Sequence, residues 1–308
     1  MSFWDGKKVL VTGGAGFIGS HVVDNLVQKR GVARQDIVVP RSQDCDLRVF
    51  ENCLRVVEGV DVVIHAATTV GGIKYNNENL ATQFYNPNLI NSQIVEAARL
   101  EGVEKFVSVC CVCAYPKDAP YPLTEDSLFC GRPEETHLGY GFAKRMMVPQ
   151  AEVYHKQHGM NIVVVIPVNS YGPRDNFDKE TAHVIPALIR KCFEDEQLVV
   201  WGDGSPVRDF LYVEDLAEGV VLAAELLNTH EPVNLGAGTE TSVGQLVDLV
   251  VQLTGFKGKV SYDPSKPKGQ PRRLASIERA KSLLGFRPHH TIEEGLRKTI
   301  DWYGGRHS

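Results

Sequence analysis

Short, nearly unbroken apolar runs alternate along the first half of the chain with stretches whose apolar residues recur every three or four positions. Lys8-Val-Leu-Val-Thr12, Asp36-Ile-Val-Val39, Val60-Asp-Val-Val-Ile64, Lys105-Phe-Val-Ser-Val109 and Asn161-Ile-Val-Val-Val-Ile166 read as strands. They are apolar at successive positions, so both of their faces must be covered, as in a parallel sheet flanked by helices. Ile18, Val22, Val23 and Leu26 mark one face of a helix directly after the first strand, and helical patterns cover Asn91 to Leu100 and Tyr140 to Gln157. This alternation predicts an α/β fold: a doubly wound, Rossmann-like parallel sheet with ligands at the carboxyl ends of its strands.

After Tyr171-Gly-Pro173 the rhythm changes, and Pro, Gly and charged residues become denser. Lys257 to Arg273 reads as a strand followed by a long loop, and Ser276 to Leu284 and Ile292 to Tyr303 as closing amphipathic helices. The expected division is a dinucleotide-binding domain over 1–170 with a returning segment near 208–235. A smaller α/β lobe would be built from 171–207 and 236–308.

At the first strand-to-helix turn stands Thr12-Gly-Gly-Ala-Gly-Phe-Ile-Gly19. Gly13, Gly16 and Gly19 let the backbone turn sharply, approach a pyrophosphate and pack helix on strand, while the helix N-terminus at Phe17 and Ile18 offers free N–H groups to phosphates. The end of the second strand, Val38-Val-Pro-Arg-Ser42, has no carboxylate for a ribose hydroxyl and carries Arg41, which favours NADPH over NAD. Asp46 and Leu47 are candidates for the adenine edge, and Ala66 and Ala67 for close backbone approach.

Further along, Tyr140 and Lys144 lie one helical turn apart, on one face. An ammonium near a phenol stabilises phenolate, so a lowered tyrosine pKa and a proton carrier are expected there. Composition adds exclusions. The chain is 43% apolar and 23% charged with a net charge of -5, which gives no argument for a nucleic-acid or acidic-membrane partner. No apolar run approaches a membrane span, and Met1 to Lys8 leads straight into a strand without a signal peptide. Seven irregularly spaced cysteines argue against a disulfide framework and for a reducing cytosol. Cys110-Cys111-Val-Cys113 lacks zinc-site spacing, so no metal is expected; on its own the cluster reads as small apolar residues at a strand end.

The glycine motif, Asp46-Leu47, His65-Ala-Ala67, Tyr140-x-x-x-Lys144 and Pro167-Val-Asn-Ser-Tyr-Gly-Pro173 together resemble the extended short-chain dehydrogenase/reductase superfamily, over essentially the whole chain. Val70-Gly-Gly-Ile-Lys-Tyr-Asn-Asn77, Cys113-Ala-Tyr-Pro116, His183-Val-Ile-Pro-Ala-Leu188 and Val200-Trp-Gly-Asp-Gly204 are similar to its GDP-L-fucose synthase family. That resemblance implies 3,5-epimerisation and NADPH-dependent 4-reduction of GDP-4-keto-6-deoxy-D-mannose. It implies Cys113 as base and His183 as acid for inversion at the two carbons flanking the ketone. Tyr140 would then be the proton donor at C4, with Lys144 on the nicotinamide ribose. Pro167 and Asn169 are implied near the nicotinamide, with Asn169 and His183 also near the sugar. Trp201 is implied beside the nucleotide or sugar. Arg208 can clamp a pyrophosphate bidentately, assisted by Arg190 or Lys191, and Lys268 to Arg273 are expected to close over the nucleotide.

The pattern departs at Cys111, where the family places Ser or Thr two residues before the catalytic cysteine. A thiol donates hydrogen bonds more weakly than a hydroxyl, so carbonyl polarisation is expected to weaken. Neighbouring readings are an enzyme of a related GDP-sugar (a deoxy-heptose, a colitose precursor or GDP-mannose) and a dinucleotide-binding sensor without turnover. The resemblance also implies a homodimer formed through the helices around 91–100 and 140–157.

Overall fold

In the computed structural model, residues 2–69, 75, 78–266 and 270–306 are described. The motif over 70–77, Tyr75 apart, and Lys268 and Gly269 therefore lie outside the described residues.

Five strands of the first half, β1 (Val9–Thr12), β2 (Ile37–Val38), β3 (Val62–His65), β4 (Lys105–Val109) and β5 (Ile162–Pro167), join β10 (Val233–Leu235) in one sheet. The order is β2-β1-β3-β4-β5-β10, and every pairing is parallel. The winding reverses between β1 and β3, so a crevice opens beyond Thr12 and His65. Successive strand residues enter opposite cores. Val9, Val11, Val107 and Val163 pack with Val22 and Leu26 of α1 (Phe17–Gln28), whereas Leu10, Phe106 and Val164 pack with Cys53 and Val57 of α2 (Phe50–Val57). Ile94 and Val95 of α3 (Leu80–Leu100) join that second core.

The helix seen in the pattern from Asn91 begins eleven residues earlier by this count, at Leu80, and carries Pro87 inside it. Proline removes one backbone hydrogen bond there, and packing against the neighbouring helix holds the remainder. The single pattern over Tyr140 to Gln157 is two helices, α4 (Leu138–Arg145) and α5 (Met147–His158). Pro149, in the first turn of α5, has no N–H to continue the ladder back into α4.

The second half contributes β6 (Asn169–Tyr171), α6 (Val184–Glu194), β7 (Gln197–Trp201), β8 (Val207–Arg208), β9 (Phe210–Tyr212) and α7 (Val213–Leu226). It continues with β11 (Thr241–Ser242), α8 (Val243–Thr254), β12 (Lys259–Asp263), β13 (Arg272–Arg273), α9 (Glu278–Leu284) and α10 (Ile292–Gly304). A third core forms from Tyr171, Ile189, Leu198, Leu246, Val250 and Leu296. β9 serves two cores by its pleat, with Leu211 in the first and Phe210 and Tyr212 in the third. Ala275, Ala280, Leu284 and Phe286, which the sequence places in the smaller lobe, pack instead in the first core beside α7.

α4 lies so close to α3 that a β-carbon at Gly139 would stand 2.0 Å from the Leu80 carbonyl oxygen. A backbone atom cannot yield as a side chain can. Gly139→Ala is therefore expected to destabilise the fold by about 1–3 kcal/mol, read as a lower urea midpoint with unchanged slope. An unchanged midpoint would mean that α3 and α4 are not in this contact.

Candidate active site

The crevice at the switch point has the form of a dinucleotide cradle. Gly13 has φ +69°, and a β-carbon there would lie 2.8 Å from the Ala67 nitrogen. A β-carbon on Gly19 would lie 2.2 Å from the Gly13 oxygen, so helix α1 seats on the turn only without side chains. Gly16 caps α1 without a side-chain hydrogen bond, leaving the first-turn N–H groups at Phe17 and Ile18 facing the crevice. These residues fit a pyrophosphate: a close backbone surface and a helix N-terminus, with no acidic residue in the first turn.

A buried relay locks the crevice. The ring of His65 contacts Asn91 Oδ1 at 2.9 Å through Nε2 and Thr12 Oγ1 at 2.7 Å through Nδ1. Since Asn91 Oδ1 accepts, Nε2 carries the proton, and Thr12 donates to Nδ1 while accepting from the Ala67 N–H at 3.3 Å. Burial pushes His65 down to about 4, which keeps the ring neutral.

Arg41 is exposed just beyond β2, and no side-chain hydrogen bond engages it among the described residues. Asp46 is ion-paired with Arg48 at 2.7 Å, which holds its carboxyl below the usual range. Leu47 is buried in the second core.

Tyr140 and Lys144 occupy one face of α4, with Lys144 Nζ 5.8 Å from the Tyr140 ring centre. Lys144 is 2% exposed and donates to the Val109 carbonyl at 3.0 Å. The expectation of a depressed phenol is corrected here. Burial, and next the Cys111 and Cys113 sulfurs, push Tyr140 well above its ordinary value. Thr68 favours phenolate, though its buried Oγ1 has no partner in hydrogen-bond geometry. Burial also lowers Lys144, against the pull of the nearby cysteines.

Cys113 differs from the other thiols. The Cys111 thiol and then the guanidinium of Arg273 hold it well below the ordinary cysteine range, with burial opposing. Arg273 Nη1 donates to Cys113 Sγ at 3.6 Å. Cys111 moves the opposite way, raised by burial and by Cys113, so it keeps its proton. Both side chains are half-buried. His183, the N-cap of α6, is close enough to Cys113 to feel its charge; burial lowers His183 and Cys113 opposes this. His183 is exposed as a residue, although the surrounding protein desolvates its ring. His137, the N-cap of α4, acts on both Cys113 and His183.

Arg208 and Arg273 are register partners on the parallel strands β8 and β13 and so share one face. Burial, then Arg273, pushes Arg208 down to about 10. No carboxylate pairs with either guanidinium among the described residues, so the pair is suited to an anion. Asn169 donates to the Asp209 carbonyl at 3.1 Å, at the mouth of β6 beside Pro167 of β5. Trp201 is 59% exposed at the end of β7. Arg190 is buried and its charge is paired with Glu194 at 3.1 Å, and Lys191 donates to the Val199 carbonyl. Among the described residues no group of three or more His, Cys, Asp or Glu could hold a metal. No helix among them is long and apolar enough to cross a membrane.

Arg273 as the partner of Cys113, together with Thr68, His137 and the Val109 carbonyl, were not legible in the sequence. The Arg272-Arg273 doublet was a signal of charge only, since its partner sits 160 positions away.

Residues 9–236 match the family described as NAD dependent epimerase/dehydratase. The chain is 37% identical to a GDP-L-fucose synthase of Sinorhizobium fredii, over 98% of this chain and 96% of that protein. It is 34% identical to a GDP-L-fucose synthase of Escherichia coli, over 96% of each. Among solved structures, it is similar to a GDP-L-fucose synthetase from Naegleria fowleri bound to NADP. That match has TM-score 0.90 and 27% identity and covers all of this chain and 97% of the other.

The Arg273 contact generates a prediction that needs no substrate. In Arg273→Gln, the pH midpoint for alkylation of Cys113 by iodoacetamide, followed by peptide mass mapping, is expected to rise by about one unit. An unmoved midpoint would remove Arg273 as the source of thiolate character.

Proposed function

This chain belongs to the NAD dependent epimerase/dehydratase family, and on that premise we propose that it epimerises GDP-4-keto-6-deoxy-D-mannose at C3 and C5 and reduces it at C4 to GDP-L-fucose. The observation that carries this reading is the Arg273 guanidinium 3.6 Å from Cys113 Sγ, beside a buried Tyr140: the cation favours a thiolate and the burial a phenol. Environments that push titratable groups apart assign base and acid. The similarity to GDP-L-fucose synthases across nearly the whole chain supports the choice of substrate.

Cys113 removes the protons next to the ketone, which are acidic because the resulting charge delocalises onto O4. His183 returns a proton to the opposite face, as inversion requires. Its acidity is tied to that of Cys113. When the thiolate takes up a proton, the charge that raised His183 disappears, and the imidazolium becomes the stronger acid. Cys111, still protonated, gives its one S–H to Cys113 while that sulfur is a thiolate, and it is released to donate to the developing oxyanion only once Cys113 has taken up the substrate proton. Gly13, Gly16, Phe17, Ile18 and Gly19 would hold the pyrophosphate of NADPH and Arg41 its extra phosphate, and the cofactor would supply the hydride for C4. Ala66, Ala67, Pro167, Asn169 and Lys144 line the route to the nicotinamide. Tyr140 then protonates O4, and its raised pKa ensures that it has the proton to give. Arg208 meets the diphosphate and Trp201 the nucleotide or sugar.

The two half-reactions separate by mutation. Cys113→Ala is expected to lose deuterium wash-in from solvent at C3 and C5 by about 10²–10⁴-fold, with NADPH oxidation on the same substrate falling in parallel. Tyr140→Phe is expected to retain wash-in while NADPH oxidation fails. The wild-type protein should consume NADPH in preference to NADH and yield GDP-L-fucose by NMR. Wash-in without oxidation in the wild-type protein would mean that Cys113 and His183 work while reduction fails. NADPH binding without either would leave a sensor.

The partner is a second copy of this chain. A groove of about 810 Å³ runs between α3 and the helices α4 and α5, lined by Phe84, Phe142, Met146 and Val153. Phe84, Met146 and Val153 are exposed along it, an apolar strip of the kind that helix-to-helix dimers cover. Met146→Glu with Val153→Glu is expected to convert a dimer into monomers by light scattering. A wild-type monomer at micromolar concentration would refute the arrangement.

A further inference from the structure

We propose that Cys111 and Cys113 form a reversible intrachain disulfide under peroxide, making this cleft a redox-sensitive site. Three observations converge. The Arg273 guanidinium stands 3.6 Å from Cys113 Sγ, so the most thiolate-like sulfur of the cleft has a built-in cation. Both Cys111 and Cys113 are half-buried rather than sealed in a core, which leaves them accessible to a small oxidant. They are separated only by Val112, the first residue of the 3₁₀ turn Val112–Ala114. A helical residue between them sets the Cα atoms about 5–6 Å apart, inside the span a disulfide requires.

The other thiols do not compete for this role. Cys110 is 3% exposed and donates to the Lys144 carbonyl at 3.3 Å. Cys45 and Cys53 are buried in the second core, and Cys192 lies on α6. The exposed Cys130 donates to the Asp126 carbonyl on another loop.

The chemistry balances with a peroxide as the two-electron oxidant. The Cys113 thiolate attacks one oxygen of hydrogen peroxide; the O–O bond breaks, hydroxide leaves, and Cys113 becomes the sulfenic acid. The Cys111 sulfur then attacks the Cys113 sulfur, water leaves with the Cys111 proton, and the S–S bond forms. A dithiol returns two electrons and two protons and restores both thiols. Cys111 thus acts as a resolving cysteine. It ends the oxidation at a reversible stage before the irreversible sulfinic acid, a protection that a hydroxyl at this position could not give.

The test uses the full chain and reads thiols directly, so it is independent of whether the proposed substrate is right. After a few equivalents of hydrogen peroxide, the intact mass should fall by about 2 Da, with the loss mapped without reductant to the peptide holding Cys111 and Cys113. Dithiothreitol should restore the mass, and NADPH oxidation in the presence of the keto-sugar should be lost and regained in step. In Cys111→Ser the same treatment should leave Cys113 as a sulfenic acid trapped by dimedone, proceeding to a sulfinic acid that dithiothreitol does not reverse. The proposal is overturned if Cys111 in the oxidised wild-type protein still alkylates fully. It is equally overturned if the disulfide maps to another pair, or if Cys113 resists peroxide no less than Cys110. These thiol readouts stand even if the sugar proves different, and a failed turnover assay alone would count only against the proposed function.

Discussion

One buried latch places the chemistry. Lys144 Nζ donates to the Val109 carbonyl at the end of β4, and the Cys110 sulfur, one residue on, donates to the Lys144 carbonyl. Burying an ammonium is costly unless its hydrogens find acceptors, and Val109 offers one where the strand leaves the sheet. Helix α4 is thereby pinned to the carboxyl end of β4. Tyr140, one turn earlier, and Cys113, three residues beyond Cys110, then arrive in the same cleft without further choice. Two glycines make the seating possible. Gly139 accommodates the Leu80 carbonyl, and a β-carbon at Gly141 would stand 2.6 Å from the Cys113 carbonyl.

Electrostatics divides the cleft by role. Desolvation acts on every group there; it wins at Tyr140, Lys144 and His183, and loses at Cys113. Tyr140 has no cation strong enough to offset its burial and stays a phenol, while Cys113 has the guanidinium of Arg273 and the Cys111 thiol and leans to thiolate. That cation comes from β13, far along the chain. Its position depends on pairing with β8 and on the return of residues 275–286 to the first core. Asn234 secures this return: its side chain donates to the Leu123 and Ser276 carbonyls and accepts from the Tyr115 hydroxyl at 2.8 Å. The loop that carries Cys113 and the segment that carries Arg273 therefore share one buried amide, which couples the position of the cation to that of the thiol.

The sequence alone determined the sheet, the glycine cradle and the helical spacing of Tyr140 and Lys144. Each is a local property: apolar runs of strand length, a turn that tolerates no β-carbon, and a period of one helical turn. It also carried Cys113, His183 and Arg208 as candidates, because their motifs are contiguous. The tertiary structure alone decided the charge states, since a phenol or thiol titrates according to burial and neighbours that no local pattern contains. It reversed the expected shift of Tyr140, tied Asp46 to Arg48 and Arg190 to Glu194, and brought Arg273 to Cys113 across 160 positions. Spacing along the chain sets which residues share a face; only the packed fold sets which charges share a cleft.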